Sequence, residues 1–107
     1  MKRYGTVIQV LPEKLEYYKE LHAATWEGVL QANHECNLRN YSIYYRDGLL
    51  FSYFEYVGED FEADMAKMRT YPEVQRWWRE TDPCQKPVES AEEGVFWAPM
   101  EEVFHQD

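Results

Sequence analysis

The sequence predicts a single α+β domain over residues 1-107, with the element order β-α-β-β-α-β of the ferredoxin-like arrangement. Two observations lead to this fold class. β-branched and aromatic runs are bounded by turn residues, and two segments with apolar residues at helical spacing alternate with them. A chain of 107 residues can form one hydrophobic core, and no repeat or linker divides it.

The composition is that of a folded protein, with 45% hydrophobic and 29% charged residues. A net charge of −9 repels phosphate backbones and anionic membrane surfaces, so we expect neither nucleic acid nor membrane as a partner. No signal-peptide stretch and no apolar run of spanning length occur, which predicts a cytoplasmic protein. Cys36 and Cys84 are far apart and are expected to be reduced, structural thiols.

The first strand is predicted over residues 2–11, where Thr6 to Val10 are mostly β-branched and Pro12 disfavours helical geometry for Leu11. Pro12 also suits the first turn of a helix. One continuous helix is predicted next, because mostly apolar and aromatic residues recur at spacings of three and four. They are Leu15, Tyr18, His22, Trp26, Val29 and Asn33.

A hairpin is predicted around Asp47-Gly48, the dipeptide typical of a two-residue type I′ turn, with Arg46 opposite Leu49. One face carries Tyr41, Ile43, Tyr45, Leu50, Ser52 and Phe54, and the other carries Ser42, Tyr44, Leu49, Phe51 and Tyr53. Both faces are largely apolar, whereas helices can cover only one. We therefore expect a homodimer in which two sheets pack face to face, a dimeric α+β barrel.

The second helical region is predicted to start near Asp60 and to bend near Tyr71-Pro72, with Thr70 and Glu73 as a capping box. It continues through Trp77 and Trp78 to Asp82-Pro83. Residues 83–94 are predicted to be a loop, and residues 97–105 a final strand that Pro99 confines to an edge.

His22 is the main candidate for chemistry, because histidine can exchange a proton near neutral pH. Tyr18 and Trp26 lie four residues to either side of it, so the three side chains are expected to stack along one helix face. Tyr41 and the Trp77-Trp78 pair can reach the same cavity in this topology. Indole rings can cover the C–H face of a sugar. On its own, however, a histidine on an apolar stripe is more often a satisfied core residue.

The sequence offers little support for other chemistry. It contains no phosphate-binding glycine loop and no nucleophile elbow. His34 and His105 are expected to be solvated, and no pair of ligands has the short spacing of a metal site, so neither metal nor cofactor is expected. Asn40 and Glu102 are weaker candidates for the site.

Five motifs in order resemble the L-rhamnose mutarotase family. They are Gln9-Val10-x-Pro12, Tyr18-x-x-x-His22-x-x-x-Trp26, Asn40-Tyr41-Ser42-Ile43-Tyr44, Arg76-Trp77-Trp78 and Met100-Glu101-Glu102-Val103-Phe104. The resemblance implies a dimeric α+β barrel that interconverts the α and β anomers of L-rhamnose or a related 6-deoxy sugar without a cofactor. The segment from Pro83 to Trp97 departs from the family's pattern, which leaves the sugar open.

Carried over by position, the resemblance makes His22 the proton donor and Tyr18, Tyr41, Trp77 and Trp78 the substrate-binding residues. We expect Tyr18 to take part in catalysis as well, holding sugar hydroxyls or relaying the second proton through water together with Tyr41. In the expected reaction His22, as imidazolium, protonates the ring oxygen; the accepting base is not identified. Two alternatives stay open. One is a cofactor-free oxygenase of the same barrel class, and the other is a sugar-binding module without catalytic activity.

Overall fold

The computed structural model describes residues 1–107 and confirms the α+β class. Helices and strands follow one another along the chain, and the strands form one antiparallel sheet. The elements are β1 (Lys2–Val10), α1 (Leu15–Ala23), α2 (Glu27–Glu35), β2 (Leu38–Arg46), β3 (Leu49–Tyr56), α3 (Phe61–Met68), α4 (Pro72–Thr81), β4 (Gln85–Lys86) and β5 (Ala98–Met100). Short 3-10 turns precede α1 and follow α4. None of the helices has the length and apolar character needed to cross a bilayer.

The sheet has β1 at its centre, with β3 and then β2 on one side. The other side of β1 pairs with two short strands: β5 lies opposite Gly5–Val7, and β4 lies opposite Gln9–Val10. The sequence prediction was therefore wrong in two respects here. The final strand is three residues long instead of spanning 97–105, and β4 forms in the predicted loop.

The predicted hairpin is confirmed between β2 and β3. Asp47 and Gly48 both have positive φ values, 50° and 84°, as a type I′ turn requires, and Arg46 pairs with Leu49. A bulge interrupts β2 between Arg39 and Ser42, with Asn40 at φ 51°. Because the extra residue shifts the alternation of side chains, Leu38 and Tyr41 both face the helices.

The continuous first helix was a wrong prediction, because the chain leaves helical geometry between Ala23 and Glu27. Trp26 is extended, at φ −63° and ψ 138°, and the Thr25 hydroxyl donates to the carbonyl of His22 at 3.1 Å. The amide of Gly28 in the new first turn donates to Oε2 of Glu73 at 2.8 Å. A carboxylate from α4 thus stabilises the start of α2.

The bend in the second helical region is confirmed: α3 ends at Met68 and α4 begins at Pro72. The side chain of Asp60 caps α3 by accepting from the amide of Ala63 at 3.1 Å. The predicted capping box at α4 does not form, because Tyr71 occupies the cap position without a side-chain bond and Glu73 is engaged with α2.

The core consists of two clusters that both lie between the sheet and the helices. The Tyr18 cluster contains Ile8, Val10, Tyr18, Leu50 and Cys84. The Met68 cluster contains Ala32, Cys36, Leu38, Tyr56, Met68 and Val74. Both cysteines are buried free thiols, and a cavity lies between the two clusters.

Candidate active site

The cavity has a volume of about 630 Å³ and is enclosed by the inner face of β2 and β3 and by helices α1 to α4. This size is typical of small-molecule sites. All five residues singled out from the sequence line it, namely Tyr18, His22, Tyr41, Trp77 and Trp78. The topology therefore brings together residues that lie as much as 60 positions apart in the chain.

The imidazole of His22 is held in one orientation by its own helix. Its Nδ1 lies 2.9 Å from the carbonyl oxygen of Tyr18, and its ring stacks on the Tyr18 ring with centroids 4.2 Å apart. Because a carbonyl can only accept, Nδ1 carries the proton and Nε2 keeps a free lone pair. Burial lowers the pKa of His22, so the neutral imidazole is favoured at neutral pH.

The phenol of Tyr18 is buried, with 4% of its surface exposed. Its oxygen accepts a hydrogen bond from Nε2 of Gln85 at 3.1 Å, which leaves the phenol proton free to be donated. Burial raises the pKa of Tyr18, and the nearby phenol of Tyr41 raises it further. Tyr18 is consequently a neutral hydrogen-bond donor throughout the neutral pH range.

Tyr41 enters the cavity from the bulged part of β2. Its ring packs on Phe54 with centroids 5.3 Å apart, and 43% of the residue surface is exposed at the rim. Its hydroxyl nevertheless lies among protein atoms, and this burial raises the pKa of Tyr41. Tyr41 can therefore bind a ligand from the rim through a neutral hydroxyl.

The two adjacent tryptophans have different surroundings. Trp77, 6% exposed, lies edge-on against both His22 and Trp26, with ring centroids 5.1 Å apart in each case. Trp77 therefore lies between Trp26 and His22. The predicted stacking of Tyr18 on His22 is confirmed, whereas the predicted stacking of Trp26 on His22 is wrong. Trp78 is half-buried between the cavity and the Met68 cluster. Trp77 supports the imidazole, whereas Trp78 offers ring surface to a ligand.

The cavity contains no carboxylate. Among its 21 lining residues, the one charged side chain is Lys19, whose Nζ lies 5.7 Å from the ring centroid of Tyr45 at the mouth. The weaker candidates lie elsewhere: Asn40 donates to Glu55 at 2.8 Å, and Glu102 pairs with Arg3 at 2.8 Å. His22 is therefore the group in the cavity best suited to accept a proton at neutral pH.

Sequence reasoning missed Lys19 and Gln85. Lys19 lies three residues before His22, so helical spacing alone could have found it. Gln85 contacts Tyr18 from a two-residue strand, for which no periodic signal exists. The structure groups no three His, Cys, Asp or Glu side chains in an arrangement that could hold a metal ion.

A family model described as L-rhamnose mutarotase matches residues 3–106. The chain belongs to the L-rhamnose mutarotase family. An L-rhamnose mutarotase from Oceanobacillus iheyensis is 28% identical to it over 109 residues, and all of both chains is covered. An L-rhamnose mutarotase from Bacillus subtilis is 32% identical over 88 residues, covering 80% of this chain and 82% of the relative.

Two solved structures share the fold over the full length of both chains. An L-rhamnose mutarotase from Formosa agariphila superposes with a TM-score of 0.76 at 20% sequence identity. Tetracenomycin F2 cyclase from Streptomyces glaucescens, a type-II polyketide cyclase, superposes with a TM-score of 0.71 at 15% identity. At these sequence identities the similarity is evidence for the α+β barrel fold alone. The second structure also shows that proteins with this fold can have activities other than mutarotation.

Proposed function

We propose that the protein is an L-rhamnose mutarotase, an isomerase that interconverts the α and β anomers by opening and reclosing the sugar ring. Family membership supports the activity. The observation that carries the mechanism is the neutral imidazole of His22, with a free Nε2, next to a phenol with a free proton in a cavity without carboxylates. The alternatives of an oxygenase or a binding module have no observation in their favour.

Ring opening moves one proton from the C1 hydroxyl, O1, to the ring oxygen, O5. The C1–O5 bond breaks as O1 and C1 form the carbonyl, so the reaction is redox-neutral and needs no cofactor. Because O1 and O5 are both bonded to C1, a single Nε2 atom can reach each in turn. His22 accepts the proton from O1 as a base and then donates it to O5 as the imidazolium just formed.

This sequence of steps modifies the expectation that His22 begins as imidazolium. The lowered pKa of His22 favours the neutral resting form, and the cavity supplies no carboxylate to act as the missing base. His22 remains the proton donor to the ring oxygen, and it also serves as the base. Its lowered pKa makes the transient imidazolium a stronger acid, which assists the donation.

Tyr18 and Trp78 assist the reaction without giving up or accepting a proton. The Tyr18 hydroxyl donates to the oxygen that gains negative charge as C1–O5 breaks, and its raised pKa keeps the phenol proton in place. Trp78 covers the C–H face of the ring, and Tyr41 binds a hydroxyl at the rim. Rotation about C1–C2 and the reverse steps then produce the other anomer.

The experiment that tests this function is magnetisation-transfer NMR on L-rhamnose, with L-fucose as the comparison sugar. Exchange between the two anomeric proton signals is measured with and without protein. We expect faster exchange for L-rhamnose and a smaller effect for L-fucose. If neither sugar exchanges faster, the mutarotase proposal is wrong; binding-induced shifts without faster exchange would instead identify a binding module, and oxygen uptake with an aromatic substrate would identify an oxygenase.

We further propose that the protein is a homodimer and that it acts in the cytoplasm, in rhamnose metabolism. The sheet face opposite the helices carries Val7, Phe51 and Tyr53, and Tyr44 beside them is 67% exposed. Two such faces packed together would bury these side chains. Light scattering after size exclusion checks the dimer, and a folded monomer would contradict it.

The free thiols of Cys36 and Cys84 fit the reducing environment of the cytoplasm, and cell fractionation checks this location.

A further inference from the structure

Gln85 lies outside the cavity lining but is in direct contact with the proposed donor. Its Nε2 is 3.1 Å from Oη of Tyr18, and only 9% of the Gln85 surface is exposed. We infer that Gln85 is a positioning residue that makes the Tyr18 hydroxyl donate into the cavity. The inference rests on the proposed function, because it concerns the donor that the mutarotase reaction uses.

The backbone around Gln85 is fixed by several independent contacts. β4 pairs with β1, so that Gln85 lies opposite Val10, and the amide of Leu11 donates to the carbonyl of Cys84 at 2.8 Å. On the other side, Nε2 of Gln9 donates to the carbonyl of Pro87 at 2.9 Å. Gln85 therefore has little freedom to move away from Tyr18.

The direction of the hydrogen bond decides what Tyr18 can do for a sugar. A phenol has one proton, and a buried phenol gives it to the best acceptor within reach. When the Gln85 amide donates to Oη, the proton has no protein acceptor and turns to the cavity. An acceptor at position 85 would take the proton, and Tyr18 would then present only a lone pair to the sugar.

The same residue also connects the reaction to the last part of the chain. Gln85 is the first residue after the turn that ends α4, and the segment that follows it leads to β5. The segment from Pro83 to Trp97, which is predicted to depart from the family's pattern, thus includes a residue that contacts the proposed donor. We expect this segment to influence the reaction through position 85.

Two substitutions separate positioning from packing. Gln85→Met keeps the size and removes the donor, and we expect kcat/KM for anomer exchange to fall about tenfold, the size expected for one net hydrogen bond. Gln85→Glu at neutral pH supplies an acceptor, so we expect a larger loss. Below the pKa of the new carboxyl, its protonated form can donate again, so the activity of Gln85→Glu relative to wild type should rise as the pH falls.

A double-mutant cycle with Tyr18→Phe shows whether Gln85 acts through the hydroxyl. We expect Gln85→Met to have no further effect on kcat/KM once the hydroxyl is gone. Gln31→Met, an exposed glutamine replaced on α2, is the matched control and should retain wild-type activity. Thermal unfolding of each variant reports whether it folds. If Gln85→Met fails to fold, the pH dependence of Gln85→Glu still decides the matter.

The outcomes are distinguishable from those for the proposed function. Wild type without anomer exchange, or Tyr18→Phe without any loss, overturns the Tyr18 role and this inference together. A loss of activity in Tyr18→Phe combined with full activity of Gln85→Met overturns only the inference.

Equal activity of Gln85→Glu and wild type at every pH also overturns the inference about Gln85, because Tyr18 would then be donating to residue 85. Effects of Gln85→Met and Tyr18→Phe that simply add contradict action through the hydroxyl.

Discussion

The Tyr18 cluster and the Met68 cluster border the same cavity, yet they direct their polar groups differently. In the Tyr18 cluster, the phenol accepts from Gln85 and keeps its proton for the cavity, and the backbone of Tyr18 holds His22. In the Met68 cluster, the Tyr56 hydroxyl donates to Asp64 and accepts from the amide of Asp60 at 3.0 Å, away from the cavity.

The difference shows how one small core supports both a reaction and a stable fold. The polar groups that surround Tyr56 of the Met68 cluster are paired with each other. Asn37 also donates to Asp64 at 3.0 Å, and the hydrogen bonds from Tyr56 and Asn37 lower the pKa of Asp64. They join β3 to α3 and leave nothing for a ligand. At the Tyr18 cluster, by contrast, the hydroxyl proton of Tyr18 and Nε2 of the neighbouring His22 have no hydrogen-bond partner in the protein. Substitutions in the Tyr18 cluster should therefore alter activity, and substitutions in the Met68 cluster should alter stability.

The largest effect is expected for His22→Gln. Glutamine keeps a polar side chain but cannot accept and return a proton at neutral pH, so anomer exchange should fall by about 10² to 10⁴. Magnetisation transfer measures the rate, and thermal unfolding should show a stability near that of wild type. His34→Gln, a change of an exposed histidine on α2, is the matched control and should keep full activity. Full exchange by His22→Gln would contradict the proposed mechanism.

Tyr56→Phe tests the stabilising role of the Met68 cluster. The change removes a hydroxyl that bonds a carboxylate and a backbone amide. For a domain of this size we expect Tm to fall by roughly 5 to 10 °C, from the loss of about one hydrogen bond. Anomer exchange per folded molecule should stay at the wild-type rate. A loss of activity without a loss of Tm would mean that the two clusters do not divide their roles in this way.

Tyr18→Phe makes the same chemical change in the other cluster. Here we expect kcat/KM to fall about tenfold, because one hydrogen bond to the reacting sugar is lost. The Tm should remain closer to wild type than that of Tyr56→Phe, since the phenol of Tyr18 has a single protein partner. If the two Tyr→Phe variants lost activity and stability in the same proportion, the comparison between the clusters would fail.

The features that sequence reasoning predicted are those that local rules determine. Asp47-Gly48 specifies its turn through two positive φ values, and the spacing of Tyr18 and His22 predicts their stacking within one helical turn. Pro72 marks the start of α4 for the same kind of local reason. The fold class and the group of five cavity residues follow once these elements are in order.

Apart from Lys19, the features that sequence reasoning missed depend on contacts distant in the chain. The break before α2 is stabilised by Glu73, which is 45 residues away from Gly28, and a helical pattern of apolar residues continues through it. β4 is two residues long and forms because it pairs with β1. Two residues are too few for strand propensity or side-chain alternation to predict a strand. Gln85 could not be found without that pairing.

The smallest expected effect is the pH dependence caused by His22. Burial disfavours the imidazolium, so the pKa of His22 in the folded protein lies below its ordinary value of about 6.5. The neutral base is then present at and above neutral pH. We expect kcat/KM to be constant there and to decline as the pH falls through the lowered pKa.

Stability should change in the same direction, because the unfolded chain binds the proton more readily than the folded chain does. The contribution of His22 is present above about pH 6.5 and is lost as the pH falls through the folded pKa. The measurement is anomer exchange from acidic to neutral pH, corrected at each pH for the reaction without protein, with Tm recorded alongside. His22→Gln should lack this part of the pH dependence of Tm. A rate that rises on acidification would identify imidazolium as the resting form, and His22 would then be the proton donor at the start of the reaction, with its base still to be found.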